Sequence, residues 1–129
     1  MSPIKMHRME SGIRLVIALF EQLGTKSSNG IAEILSDDCI LENIHSGTEC
    51  NAYKGKEKIK QYYEDLRKGK ANIVFETEEI VGFGHRCVIR WRCVWTDEEG
   101  IEKAMRGMDL MKEKNDLLCE ILSYSGNAR

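Results

Sequence analysis

Three observations predict an α+β fold. Apolar residues recur at helical spacing in the first half of the chain, the period changes to two from residue 71 onward, and short turn signals separate four long alternating segments. Helices gathered before an antiparallel sheet cover one of its faces. Strands this long twist and curl, so sheet and helices are expected to enclose a cone whose mouth admits a ligand. The 129 residues make one domain, spanning 1–129.

From about Met9 to Leu23, Ile13, Val16, Ile17 and Phe20 form one apolar stripe, and Gly24 is a plausible left-handed stop. Thr25 to Asn29 offers N-cap oxygens to a shorter helix carrying Ile31, Ile34 and Leu35 and ending near Ser36. Cys39 to His45 reads as a short strand and Ser46 to Tyr53 as a polar loop. Gly55 opens a third helix with the stripe Ile59, Tyr62, Tyr63 and Leu66; Glu57 and the Arg67-Lys68 pair suit its dipole, and Gly69 closes it. Four strands follow. They are Ala71 to Gly82, with Ile73, Phe75 and Val81 inward; His85 to Trp95; Ile101 to Glu113; and Leu117 to Tyr124. Turns at Asp97 to Gly100 and at Asn115-Asp116 separate the last three.

The stretch His85 to Trp95 is the centre of this arrangement. One face reads His85, Cys87, Ile89, Trp91, Cys93, Trp95, and the other reads Arg86, Val88, Arg90, Arg92, Val94. The first face must be covered. The second, with Val74, Ile80 and arginines set near Glu76 and Glu78, is too apolar for a fully solvated surface and suits a homodimer contact between sheets.

Nineteen Lys plus Arg against 21 Asp plus Glu leave a net charge of −2, which provides no field to recruit nucleic acid or an anionic membrane. No apolar run has the length of a bilayer span, and the N-terminus lacks a signal-peptide pattern, so a cytoplasmic location is expected. The five cysteines lack Cys-x-x-Cys spacing and read as reduced thiols acting as small hydrophobes. Neither metal-ligand spacing nor a glycine-rich phosphate loop is present, so no cofactor is expected.

Gly30 to Asn43, Tyr53 to Tyr63, Arg106 to Met111 and Glu120 to Tyr124 together resemble the SnoaL-like, nuclear-transport-factor-two-like superfamily, over nearly the whole stretch from Met9 to Tyr124. The resemblance implies a cone-shaped α+β barrel, a homodimer and a pocket between curled sheet and helices. Its members include ketosteroid isomerase, polyketide cyclases and non-catalytic modules, so fold alone does not settle function.

Asp109 looks like the carboxylic acid of the isomerase branch that polarises a substrate carbonyl. Beside Met105, Met111 and the tryptophans its pKa would rise; paired with Arg90 or Arg106 it would be structural. Asn43 falls where that branch has its general base, and Leu19 or Phe20 where it has an oxyanion tyrosine, so the isomerase mechanism does not carry across unchanged. Asn43 is then expected to orient a ligand. His45 is the better candidate base; His85, at a strand start, lies either in the pocket or at its rim. Trp91, Trp95, Phe75, Tyr62 and Met111 are expected to wall a small hydrophobic ligand, or to form plain core. Two functions remain open: a cofactor-free isomerase, cyclase or dehydratase-type enzyme, and a non-catalytic binding or dimeric assembly module.

Overall fold

The computed structural model describes residues 3–24, 29–45 and 50–127, with side chains at 12–24, 30–44 and 51–126. Its elements are helix α1 (Pro3–Leu23), helix α2 (Asn29–Ile34), strands β1 (Leu35–His45) and β2 (Cys50–Lys54), helix α3 (Lys56–Arg67), and strands β3 (Ala71–Phe83), β4 (Arg86–Thr96), β5 (Glu102–Lys114) and β6 (Leu117–Asn127). Strands pair in the order β2-β1-β6-β5-β4-β3, all antiparallel except β1 beside β6. The three helices cover the concave side of this curled sheet, as the α+β reading predicts.

The four-strand meander follows the predicted turns. Asn115 and Asp116 both adopt positive φ, the geometry of a two-residue hairpin turn whose twist matches the strands. Asp97 closes the other turn by accepting the backbone N–H groups of Glu99 and Ile101. α3 buries Ile59 and Tyr63, carries Glu57 in its first turn and Arg67 in its last, and Gly69 behind it sits at φ 71°.

Four expectations are corrected. The segment Ser46 to Tyr53 is not all loop: Cys50–Lys54 pairs with β1, because Ile40 to Ile44 offers a complete ladder to it. β1 begins at Leu35, directly after α2, and not at Cys39. Ile17 is 41% exposed, and Leu19 and Leu23 join Val16 and Phe20 in the core instead; the helix is rotated toward its 16, 19, 20, 23 edge. Val81 is 48% exposed, because a bulge between Thr77 and Glu79 inserts a residue and reverses the alternation beyond it. Ile80 takes the inward place, opposite Ile89.

Beneath the helices the concave face is apolar row by row. Leu41, Ile121, Met111 and Cys87 stand side by side on β1, β6, β5 and β4, all buried. Burial pushes the Cys39 thiol up to about 12 and Cys93 to about 11, so both remain protonated, as hydrophobic thiols should. Cys50 has its side chain outside the described residues; Cys39, Cys87, Cys93 and Cys119 are free.

Candidate active site

One row of the concave face breaks the apolar pattern. Cross-strand register sets Asn43 on β1 beside Ser123 on β6, and Ser123 beside Asp109 on β5. These three are the buried polar residues among those described, at 2%, 5% and 3% exposure. Their placement follows from alternation: each sits on the inward parity of its strand, two residues from a core hydrophobe.

Among the described residues, Asp109 meets only neutral donors. Trp91 Nε1–H donates to its Oδ1 at 2.9 Å, and the Ser123 hydroxyl donates to the same oxygen at 2.7 Å. No arginine among the described residues reaches it, and the two arginines expected for a structural ion pair are engaged elsewhere: Arg106 by Glu78 and Arg90 near Glu79, both on the opposite face. Burial therefore dominates over the two hydrogen bonds and pushes the carboxyl up to about 6. Oδ2 takes no hydrogen bond from the described residues.

Trp91 can reach Asp109 because of a glycine. Gly107 is its cross-strand neighbour, and a Cβ built there would lie 2.2 Å from Trp91 Cζ2 and 2.4 Å from Cε2. The indole lies flat across the bare backbone of β5, which carries its N–H to the carboxyl two residues further along. A lone glycine opposite a tryptophan was a readable signal for this, as was a serine on the core parity of β6.

Above the row stands α3. Tyr62 accepts a hydrogen bond from Asn43 Nδ2 at 2.5 Å, and among the described residues its own hydroxyl proton is uncommitted and Asn43 Oδ1 is buried without a partner. Burial and the neighbouring Asp109 raise the pKa of both Tyr62 and Tyr63, so each is a neutral donor. The tyrosines, Phe20, Phe75, Trp91 and Asp109 line one recess together with Met105 and Ser123. About 20 Å³ of it is open to the centre of a water-sized sphere, and the whole recess with its mouth measures about 340 Å³.

The structure thus brings together Asp109, Trp91, Tyr62 and Phe75, places Phe20 rather than Leu19 on the wall, and adds Tyr63, Ser123 and Ser125, which sequence reasoning did not assign to the pocket. Asn43 touches the site through Tyr62. Met111 is buried one row deeper, not on the wall, and Trp95 is half-buried with Lys70 Nζ 5.4 Å above its ring. His85 lies in the β3–β4 turn, 78% exposed, with Nδ1 3.1 Å from Glu113 Oε2, and is not among the residues that line the recess. His45 ends β1 with its backbone opposite Ser125, and its side chain lies outside the described residues. Among the described residues, no three His, Cys, Asp or Glu gather as metal ligands would.

A profile of the SnoaL-like domain matches residues 16–121. The chain belongs to the SnoaL-like domain family. Solved structures agree on the fold of this SnoaL-like domain. A nuclear-transport-factor-two-like protein of unknown function from Mesorhizobium loti is 21% identical, with 92% of this chain and 93% of that one covered and a TM-score of 0.74. A protein assigned to the SnoaL-like polyketide cyclases, from Jannaschia sp. CCS1, is 14% identical over 97% and 89%, at 0.78. One assigned as a ketosteroid isomerase, from Kribbella flavida, is 12% identical over 94% and 82%, at 0.74. No curated protein matches the chain in sequence. At these identities the likeness establishes architecture, and the chemistry of the SnoaL-like recess must be argued from its own residues. No helix among the described residues is long and apolar enough to cross a membrane.

Proposed function

We propose that this SnoaL-like domain is a cofactor-free acid–base enzyme of isomerase type, acting on a small hydrophobic carbonyl compound. Asp109 is the observation that carries the reading: a carboxyl 3% exposed, without a countercharge among the described residues, pushed up to about 6 in an aromatic recess. A fully neutral carboxyl would serve as a donor, the role the family resemblance implies. One near 6 is mostly ionised at pH 7, yet close enough to that pH to take and return a proton, which is the optimum for a general base.

The reaction balances on this chain's own groups. Asp109 Oδ2 takes a proton from the carbon beside the carbonyl, and the electron pair left on that carbon moves to the carbonyl oxygen. The uncommitted Tyr62 hydroxyl donates to this oxyanion, with Asn43 fixing its direction. Where the substrate carries a β,γ carbon–carbon double bond, the enolate extends into a dienolate; return of the proton to its γ carbon shifts that double bond into conjugation with the carbonyl and gives the isomer, without oxidation or reduction. The cyclase and isomerase assignments of structural neighbours support the reaction class.

Deuterium exchange tests this without a known substrate. Incubated with a panel of small cyclic ketones in D₂O, the protein should exchange the protons beside the carbonyl, with a rate that rises through pH 6. Asp109→Asn should lower it at least ~100-fold. Ketones that bind but never exchange would overturn the enzyme and leave the non-catalytic binding module, which the replacement of a base by Asn43 favours.

Two copies of the chain are proposed to pair through the convex face. Val81, Val88, Leu110 and Leu122 form one apolar row there in register, with Met108 and Tyr124 exposed beside it and the Arg106–Glu78 pair at its edge. Leu110→Asp should yield a monomer in sedimentation; an unchanged mass would remove the proposal. Reduced thiols are consistent with the cytoplasm as its location.

A further inference from the structure

Phe20 and Phe75 each face two spaces. On one side they line the recess that ends on Asp109. On the other they floor a groove of about 350 Å³ between α1 and β3, flanked by Ile17, Glu21, Ile73 and Thr77. The two rings meet edge to face, with centroids 5.9 Å apart and planes at 88°. They are the partition between the inner and outer volumes.

The sizes decide what this partition is for. A void of about 20 Å³ admits roughly one water, whereas small-molecule sites measure roughly 300–1,000 Å³. An organic ligand reaching Asp109 must therefore displace part of the wall, and Phe20 and Phe75 are the side chains with open space behind them. Turning Phe20 or Phe75 aside joins the recess to the groove, which is of ligand size. The groove also explains why Ile17, on the apolar stripe of α1, remains 41% exposed beside a half-buried Ile73: no side chain of the described residues fills the space between them. Its one charged flank, Glu21, disfavours an anion.

We propose that the α1–β3 groove is the outer half of the ligand site, holding the uncharged apolar tail or second ring of the molecule whose carbonyl head meets Asp109, with Phe20 and Phe75 as the partition it displaces. The ligand class is thus an elongated, neutral amphiphile rather than a compact ring. This rests on the Asp109 reading, because Phe20 and Phe75, which floor the groove, also line the recess that holds that carboxyl.

The test is calorimetric binding of cyclic ketones carrying linear alkyl chains of rising length. Each added methylene that enters the groove should tighten binding about fourfold, the equivalent of about 0.8 kcal/mol, until the groove is full. Ile17→Asp should flatten the series and leave the chainless ketone unchanged; Ile17→Ala, milder for folding, should reduce the slope. Asp109→Asn should shift every member by a common factor and preserve the slope. A flat series in the native protein, or a slope indifferent to both Ile17 variants, overturns the outer subsite. A slope that Ile17→Asp removes while Asp109→Asn changes no affinity keeps the groove and overturns the Asp109 reading beneath it.

Discussion

Trp91 and Arg92 are adjacent in β4 and belong to opposite electrostatic regimes. Inward, Trp91 reaches a carboxylate that has neutral donors and, among the described residues, no cation. Outward, Arg92 stands among exposed pairs: Glu76 opposite it, Glu79 near Arg90 at 3.7 Å, and Glu78 crossing β4 to the guanidinium of Arg106 on β5. The placement of Glu78 corrects the expected pairing within the β3–β4 hairpin; the bulge at Thr77 sends its side chain past β4, and Arg86 turns instead to Glu120 on β6. Opposite charges in water hold each other in their ordinary ionised states and add little. A single charge in an apolar interior has its ionisation altered, which is the property catalysis uses.

The sharpest way to break the concave side is Gly107→Ala. The added methyl has no room beneath the Trp91 ring, so the indole must leave and the hydrogen bond to Asp109 with it. Urea denaturation should show a loss of about 3 kcal/mol or more. An unaltered midpoint would mean that Trp91 has another resting place.

Asp109 itself should make stability depend on pH in the direction opposite to a salt-bridged acid. Its folded pKa, about 6, lies above the ordinary 3.8, so the folded state binds more protons between the two values. Stability therefore falls as pH rises from about 4 to about 6 and is level beyond, by an amount on the order of 3 kcal/mol. Asp109→Asn keeps an acceptor for Trp91 and Ser123 and should remove this slope, gaining up to that amount at pH 8. Thermal melts across pH 4 to 8 decide it; a native slope of opposite sign would place a cation beside the carboxyl.

Trp91→Phe keeps the ring and deletes the donor. A cost of about 1–2 kcal/mol is expected, together with a further rise in the Asp109 pKa, readable by NMR titration of the carboxyl. The smallest effect belongs to the other face. Arg106→Ala should change the melting point less than any of these variants, and the difference should shrink with added salt. A loss as large as that of Gly107→Ala would show the convex pairs to be buried in an assembly.

Much of this was legible along the chain. Alternation in β4 predicted which of its residues are buried, and the helical stripe of α3 brought Tyr62 to the site. Asp109 was recognisable as the candidate carboxyl, although its partners were not, because Trp91 and Ser123 stand 18 and 14 residues away and arrive only through strand register. The inward place of Ile80 was hidden by a bulge that no local pattern marks, and β2 by a polar composition that ladder hydrogen bonds override.

Periodicity and turn chemistry in the sequence therefore determined the elements, their order and the sign of each face, since these depend on neighbours a few residues apart. Folding in three dimensions decided the rest: which oxygen of Asp109 is bonded, that no positive charge among the described residues accompanies it, and that two phenylalanine rings from α1 and β3 line both its recess and an outer groove. Those properties arise where side chains from separate strands and helices exclude water together, and no single segment encodes the dielectric it will share.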